Sequence, residues 1–198
     1  MKRKGRALLI LWAGFSVVLL VMTLSPGVRA QAGGPVYTND GRLQQPQGFR
    51  HWKFVGAMVT PNGLNGGKAG FPEFHNVYIE QANFDAYQKN GVFPEGTVIV
   101  KELTLTRNST YPDGSTDEAS GRGFFEGEPN GLDVTVKDSK RFAGTNNWGF
   151  FNFGHHAQPY AESSKESSKA ECAGCHAAGA SKTDMTWVQF YPNLRSKN

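Results

Sequence analysis

Near the C-terminal end, Cys172-Ala173-Gly174-Cys175-His176 sets two thiols three positions apart with an imidazole directly after the second. That spacing fits the attachment pattern of a c-type haem. Thiols so separated can add across the two vinyl groups on one edge of a porphyrin, and the adjacent histidine gives iron an axial nitrogen. Two other chemistries use a Cys-x-x-Cys pair. A redox disulfide needs no following histidine, and zinc needs two more ligands, whereas the sequence holds no other cysteine. The expected cofactor is therefore one covalent haem c per chain, held by Cys172 and Cys175, with its iron on His176.

What occupies the other face of such an iron decides its use. A sixth protein ligand makes an electron-transfer centre, and an open position binds or activates a small molecule. The available side chains are Met58, Met185, His51, His75, His155 and His156, and spacing leaves the choice among them open.

A lysine adds a second chemical signal. In Thr97–Thr106 (TVIVKELTLT), the odd positions are Thr97, Ile99, Lys101, Leu103 and Leu105. Side chains alternate between faces along a strand, so Lys101 shares a face with Ile99, Leu103 and Leu105. If that face is inward, desolvation favours the neutral, nucleophilic amine; otherwise the side chain snorkels to the edge along its own stem. Asp133 has the parity opposite to Leu132, Val134 and Val136, which suits a pocket wall and solvent equally.

The elements that must position these groups are mostly strands. Trp52–Val59 alternates as a strand, Pro61–Gly70 reads as a Gly/Asn loop, and Val77–Glu80 is a short strand. Gln81–Asn90 groups Ala82, Phe84 and Tyr87 on one helical face, with Gly91 at the place of a C-cap. Thr97–Thr106 is the clearest strand, rich in β-branched residues. Arg107–Arg122 reads as an exposed loop. Gly123–Glu128, Leu132–Lys137 and Trp148–Phe153 are strand-like. Pro159–Cys172 reads as a polar helix whose Glu-Ser-Ser-Lys duplication spaces Glu and Lys by three. Strands with few helices predict an α+β domain on an antiparallel sheet.

The N-terminus has a different character. Lys2, Arg3, Lys4 and Arg6 precede the uncharged apolar run Ala7–Leu24, then Pro26, Gly27 and a small-residue cleavage site. This is the layout of a secretory signal over residues 1–30, or of an uncleaved membrane anchor. Residues 31–47 then read as an extended lead-in and 48–198 as the functional domain. Of the 21 Lys and Arg, five lie in the first 30 residues, which hold no acid; the other 16 face 17 Asp and Glu. No basic excess remains in the domain, which argues against nucleic-acid binding.

Ordered blocks along the chain carry a likeness: His51-Trp52-Lys53-Phe54-Val55-Gly56, Val59-Thr60-Pro61-Asn62, Gly67-Lys68-Ala69, Val100-Lys101-Glu102-Leu103, Val136-Lys137-Asp138-Ser139, Arg141-Phe142, Asn147-Trp148, the Cys-x-x-Cys-His motif and Phe190-Tyr191-Pro192. Over about residues 48–195 the chain resembles the cytochrome P-460 family. The resemblance implies a small periplasmic homodimer, a curved antiparallel sheet, and a five-coordinate haem joined at a meso carbon to a lysine, here Lys101. It implies oxidation of hydroxylamine to nitric or nitrous oxide, with electrons passed to an external acceptor such as another cytochrome c. A sister group, the cytochromes c′-β, binds nitric oxide without the cross-link in a pocket capped by phenylalanine. In the distal pocket the match puts His75 where an arginine is usual and Asp133 where a glutamate is usual, making these the candidate catalytic bases. Phe71, Phe74, Phe124 and Phe125 are the candidate apolar cap.

Overall fold

The stretch after Thr97 forms the central strand of the molecule. The computed structural model describes residues 33–195; the secretory-signal reading of residues 1–30 lies outside them. The strands in chain order are β1 (Leu43–Gln44), β2 (Lys53–Gly56), β3 (Phe74–Ile79), β4 (Val98–Thr106), β5 (Thr116–Glu118), β6 (Gly121–Gly123), β7 (Glu126–Lys137), β8 (Trp148–Asn152) and β9 (Ser163–Ser164). Five of them pair antiparallel in the order β2-β3-β4-β7-β8. The sheet does not close on itself. Among the described residues three α-helices, α1 (Gln81–Asn90), α2 (Gly174–Ala180) and α3 (Pro192–Arg195), accompany it. The fold is the expected α+β arrangement on an antiparallel sheet.

Both faces of the sheet are covered. One carries Val77, Ile79, Ile99, Trp148 and Phe150 against Phe93, Ala173, Met185, Val188, Tyr191 and Leu194, so the C-terminal segment packs there. The other carries Val98, Val100, Leu132, Val134, Val136 and Phe151 under Leu43, Phe49, Phe142 and Tyr160. Full burial of one such Val, Leu, Ile or Phe side chain contributes about 1.5–3 kcal/mol. Glu102, on this second face, is buried and bonded to Arg50. Parity therefore sorts β4 correctly into two faces, but neither is solvent; only Leu105, near the strand end, is exposed.

Several elements differ from the sequence reading in an instructive way. The end of the strand-like run Gly123–Glu128, from Glu126 on, and the run Leu132–Lys137 are bridged by Pro129 into one strand, β7, while Gly123 closes β6. Proline cannot donate to a ladder, and Pro129 pairs with Thr104 where the register slips. The loop Arg107–Arg122 contains most of the hairpin β5–β6. The polar helix expected over Pro159–Cys172 does not form. Ser163 and Ser164 instead make β9, paired with β1, and the Arg42 guanidinium donates to the Ser163 hydroxyl (2.9 Å) and carbonyl (2.7 Å). That stretch has no apolar stripe to bury, and serines readily trade helical bonds for local ones. Helix begins only at Ser168, whose hydroxyl and backbone N–H both meet the Glu171 carboxylate, at 2.8 and 2.9 Å. A π turn, Lys169–Ala173, then runs into α2. The Cys-x-x-Cys-His motif thus does lie on a helix, displaced toward the C-terminus. α1 matches its expected span, with Gly91 at φ 71° donating to the Tyr87 carbonyl at 2.7 Å.

Candidate functional site

Cross-strand register arranges the candidate residues in three successive rows on one face. In the first row, Ile99 pairs with Thr135, which pairs with Phe150. In the second, Val77, Lys101, Asp133 and Asn152 lie side by side. In the third, His75 pairs with Leu103, which pairs with Gly131. Same-face positions are two residues apart, so each step is about 7 Å and the outer rows are about 13 Å apart.

His176 belongs to the first row. Its ring lies 4.7 Å from that of Phe150 and 5.6 Å from that of Trp187, between centroids. Its Nδ1 is 2.6 Å from the Met185 carbonyl oxygen. A carbonyl only accepts, so Nδ1 carries the hydrogen and Nε2 keeps its lone pair, the state an iron ligand needs. Burial also lowers the His176 pKa, although the Met185 carbonyl opposes this. Cys172 and Cys175 are free thiols, one half-buried and one exposed, on the turn that leads into His176. Burial pushes the Cys172 thiol up.

Lys101 and Asp133 make the middle row. The ammonium is 2.9 Å from Asp133 Oδ2, with both side chains about a quarter exposed. Asn152 Nδ2 donates to Asp133 Oδ1 at 2.7 Å, so both oxygens of this carboxylate are engaged. Lys101 Nζ also lies 4.3 Å from the centre of the Phe71 ring, a cation–π contact. The lysine therefore faces the same side as the His176 helix, and Asp133 is neither core nor free in solvent.

His75 makes the third row and is 8% exposed. Burial, followed by the Lys101 charge, lowers its pKa to about 4. Its Nε2 is buried without a partner. Phe71 stands edge-on to it at 5.7 Å and stacks on His155 at 5.9 Å. Glu73, absent from the sequence reading, is buried beside this row. Its Oε1 meets His155 Nε2 at 2.7 Å and accepts from Asn130 Nδ2 at 2.9 Å; Oε2 is buried without a partner. Burial opposes its ionisation, but the hydrogen bonds from His155 and Asn130 together hold its pKa below the usual value. The only sequence signal for Glu73 is a lone acid inside Phe71-Pro72-Glu73-Phe74.

The other candidates disperse. Met185 is buried on the His176 side, its sulfur 3.3 Å from Asn146 Nδ2. Met58 touches the third row through its backbone carbonyl, which accepts from the His75 N–H at 2.8 Å. His51 is exposed at the end of a short 3-10 turn. His156 is exposed and bonds the Ala157 carbonyl next to it. Of the phenylalanines, Phe71 reaches the site. Phe74 pairs with Thr104 and so belongs to the opposite face, while Phe124 and Phe125 approach Gly114 and Gly123 in the β5–β6 region.

These residues fit a haem. The lone pair on His176 Nε2 suits an iron, the two thiols on one helical turn suit a vinyl edge, and a lysine one row along and an unpartnered imidazole nitrogen one row beyond line the side that the ring would face. The cytochrome P460 family model matches residues 46–188, a span that contains every residue just described. The chain belongs to the cytochrome P460 family. No curated protein matches the chain. Membership makes this cytochrome P460 relative a haem-binding protein. Among the described residues, no helix is long and apolar enough to cross a membrane.

Proposed function

We propose that this cytochrome P460 family member is a c-type haem oxidoreductase that takes electrons from hydroxylamine, yielding nitric or nitrous oxide. The observation that carries the reading is the buried, unpartnered His75 Nε2, two rows beyond the His176 row, with Lys101 in the row between. In this reading Cys172 and Cys175 hold the porphyrin by thioether bonds, His176 Nε2 binds its iron, and Lys101 is joined to a meso carbon. The haem, when bound, supplies an open iron position and accepts the electrons.

The protein residues supply binding and proton handling. His75 is neutral at neutral pH, since burial holds its pKa near 4, and its ring bonds the Phe71 backbone carbonyl. Its Nε2 has no partner, so Nδ1 carries the hydrogen and the Nε2 lone pair is ready to accept a hydrogen bond and then a proton from an N–H or O–H group. Positioned general bases contribute about 10²–10⁴-fold, and least when their pKa lies well below the working pH, as it does here. Asp133, tied to Lys101 and Asn152, orients the lysine nitrogen and offers a second base once that nitrogen is no longer an ammonium. Glu73, ionised and buried behind His75, favours the protonated form of that imidazole. Phe71 keeps water from one side of the pair.

The leader-like N-terminus supports a periplasmic location, and the electrons then pass to an external acceptor such as another cytochrome c; the family resemblance supports a homodimer. A second reading, a nitric oxide-binding protein without turnover, is favoured by the Phe71 ring, which touches both Lys101 and His75. Adding hydroxylamine anaerobically to ferric holoprotein with an electron acceptor separates the two. Catalytic reduction of the acceptor with nitrogen oxide release supports oxidation. A ferric protein indifferent to hydroxylamine, whose ferrous form takes up nitric oxide, overturns it in favour of binding.

A further inference from the structure

The turn that follows the motif helix carries a device the sequence does not announce. Asp184 (φ 53°) and Met185 (φ 60°) are consecutive residues in the left-handed region, which is unfavourable for any residue with a Cβ. Neither is glycine, so contacts elsewhere must hold the turn. Within the turn the Met185 N–H donates to the Ala180 carbonyl at 2.9 Å and the Thr183 hydroxyl to the Thr186 carbonyl at 2.6 Å, and the bonds that tie the turn to the sheet converge on the Asp184 carboxylate. Its Oδ2 accepts from Lys137 Nζ at 2.6 Å and from the Phe93 backbone N–H at 3.2 Å. Its Oδ1 accepts from the Trp148 indole N–H at 3.1 Å. Lys137 closes β7 and Trp148 opens β8, opposite each other in the sheet, so the carboxylate clamps the turn onto two adjacent strand ends. The ion pair is well shielded, with side-chain exposures of 8% for Lys137 and 19% for Asp184. The next residue, Met185, is the one whose carbonyl accepts from His176 Nδ1 at 2.6 Å.

We infer that Asp184 is a positioning residue for the iron ligand: by clamping the left-handed turn to the ends of β7 and β8, it fixes the direction and strength of the hydrogen bond between His176 and the Met185 carbonyl. The inference rests on the reading of His176 as the ligand. A ligating imidazole that donates its other N–H to a firm acceptor is a more basic ligand, and such outer partners tune the metal. A stronger donor favours the ferric state. Loosening the turn therefore weakens the iron–histidine bond and raises the midpoint potential. Lys137 and Trp148 share the role, since each holds one oxygen of the clamp.

The test uses matured holoprotein and compares the parent with Asp184→Gly and Asp184→Asn. Glycine accepts the left-handed backbone and removes all three anchors; asparagine tolerates the backbone and keeps an oxygen for the Trp148 indole. The readouts are the iron–histidine stretch of the ferrous form by resonance Raman and the midpoint potential, with haem content and melting temperature measured alongside. The expected result is a stretch at lower frequency and a higher potential in Asp184→Gly, with Asp184→Asn between it and the parent. Should Asp184→Gly not fold, Lys137→Met keeps the Phe93 and Trp148 bonds and is expected to shift both readouts in the same direction by less. Unchanged frequency and potential in a folded variant overturn the inference even if the melting temperature falls, because a purely structural clamp predicts that pattern. A parent protein with haem but no iron–histidine mode instead overturns the ligand reading, and the inference with it.

Discussion

Burial of His75 gives the site a measurable acid sensitivity. Its pKa falls from the ordinary 6.5 to about 4 because the ring is desolvated and Lys101 is near. A pH unit is worth about 1.4 kcal/mol, so protonating His75 costs about 3 kcal/mol more in the folded chain than in the unfolded one. The sign follows from proton counts. Between pH 6.5 and 4 the unfolded chain binds the proton and the folded chain does not, so stability rises with pH across that window and is lost as pH falls through it. The Glu73 carboxyl, held below its usual 4.5, adds its own loss only further down. The perturbation is His75→Gln, which keeps a polar side chain of similar reach but cannot titrate. Urea unfolding of the parent and variant holoproteins at pH 7, 5.5 and 4 gives the comparison; thioether-bound haem would stay with the unfolded chain in both. The parent is expected to lose up to about 3 kcal/mol more than the variant between pH 7 and pH 4, the part due to Lys101 falling away where its nitrogen is bonded to the ring. Equal losses would show that His75 is solvated, and a smaller loss in the parent would show that it is already charged at neutral pH; either would remove it as the neutral base.

Other outcomes follow from the same geometry. His75→Leu should retain haem and lower hydroxylamine turnover by about 10²-fold, read from initial rates of acceptor reduction. Asp133→Asn should lower turnover less, with haem content unchanged, because its two oxygens already serve Lys101 and Asn152. Gly179→Ala would place a Cβ 2.0 Å from the Trp187 ring, which packs beside His176; overpacking of this kind costs about 1–3 kcal/mol, visible as a lower melting temperature. Cys172→Ala together with Cys175→Ala should yield a chain whose intact mass lacks thioether-bound haem, with any lysine-bound haem counted separately.

How far the sequence reached depended on whether a signal was local. α1 was legible because a helical apolar face ended at a glycine that could take φ 71°. β4 was legible through its β-branched residues, and its alternation correctly set Lys101 with Ile99 and Leu103. Alternation could not say that both faces are covered, since that depends on the lead-in folding over Val98 and Val100. It also could not align β3, β4 and β7, so the three rows joining His75, Lys101 and His176 emerge only from register. The false helix over Pro159–Cys172 came from Glu–Lys spacing, a weak stabiliser that yields to pairing with β1. Glu73 and Asp184 escaped notice because their partners, such as His155, Lys137 and Trp148, are far away in the chain.

The proposed function turns on an iron porphyrin held by His176, with His75 on its open side and Lys101 joined to the ring. The optical spectrum of the reduced, fully matured protein tests it most directly. Expected is a high-spin, five-coordinate spectrum with a Soret band shifted strongly to the red by the lysine-modified ring. A low-spin, six-coordinate spectrum with an ordinary c-type Soret band would contradict it.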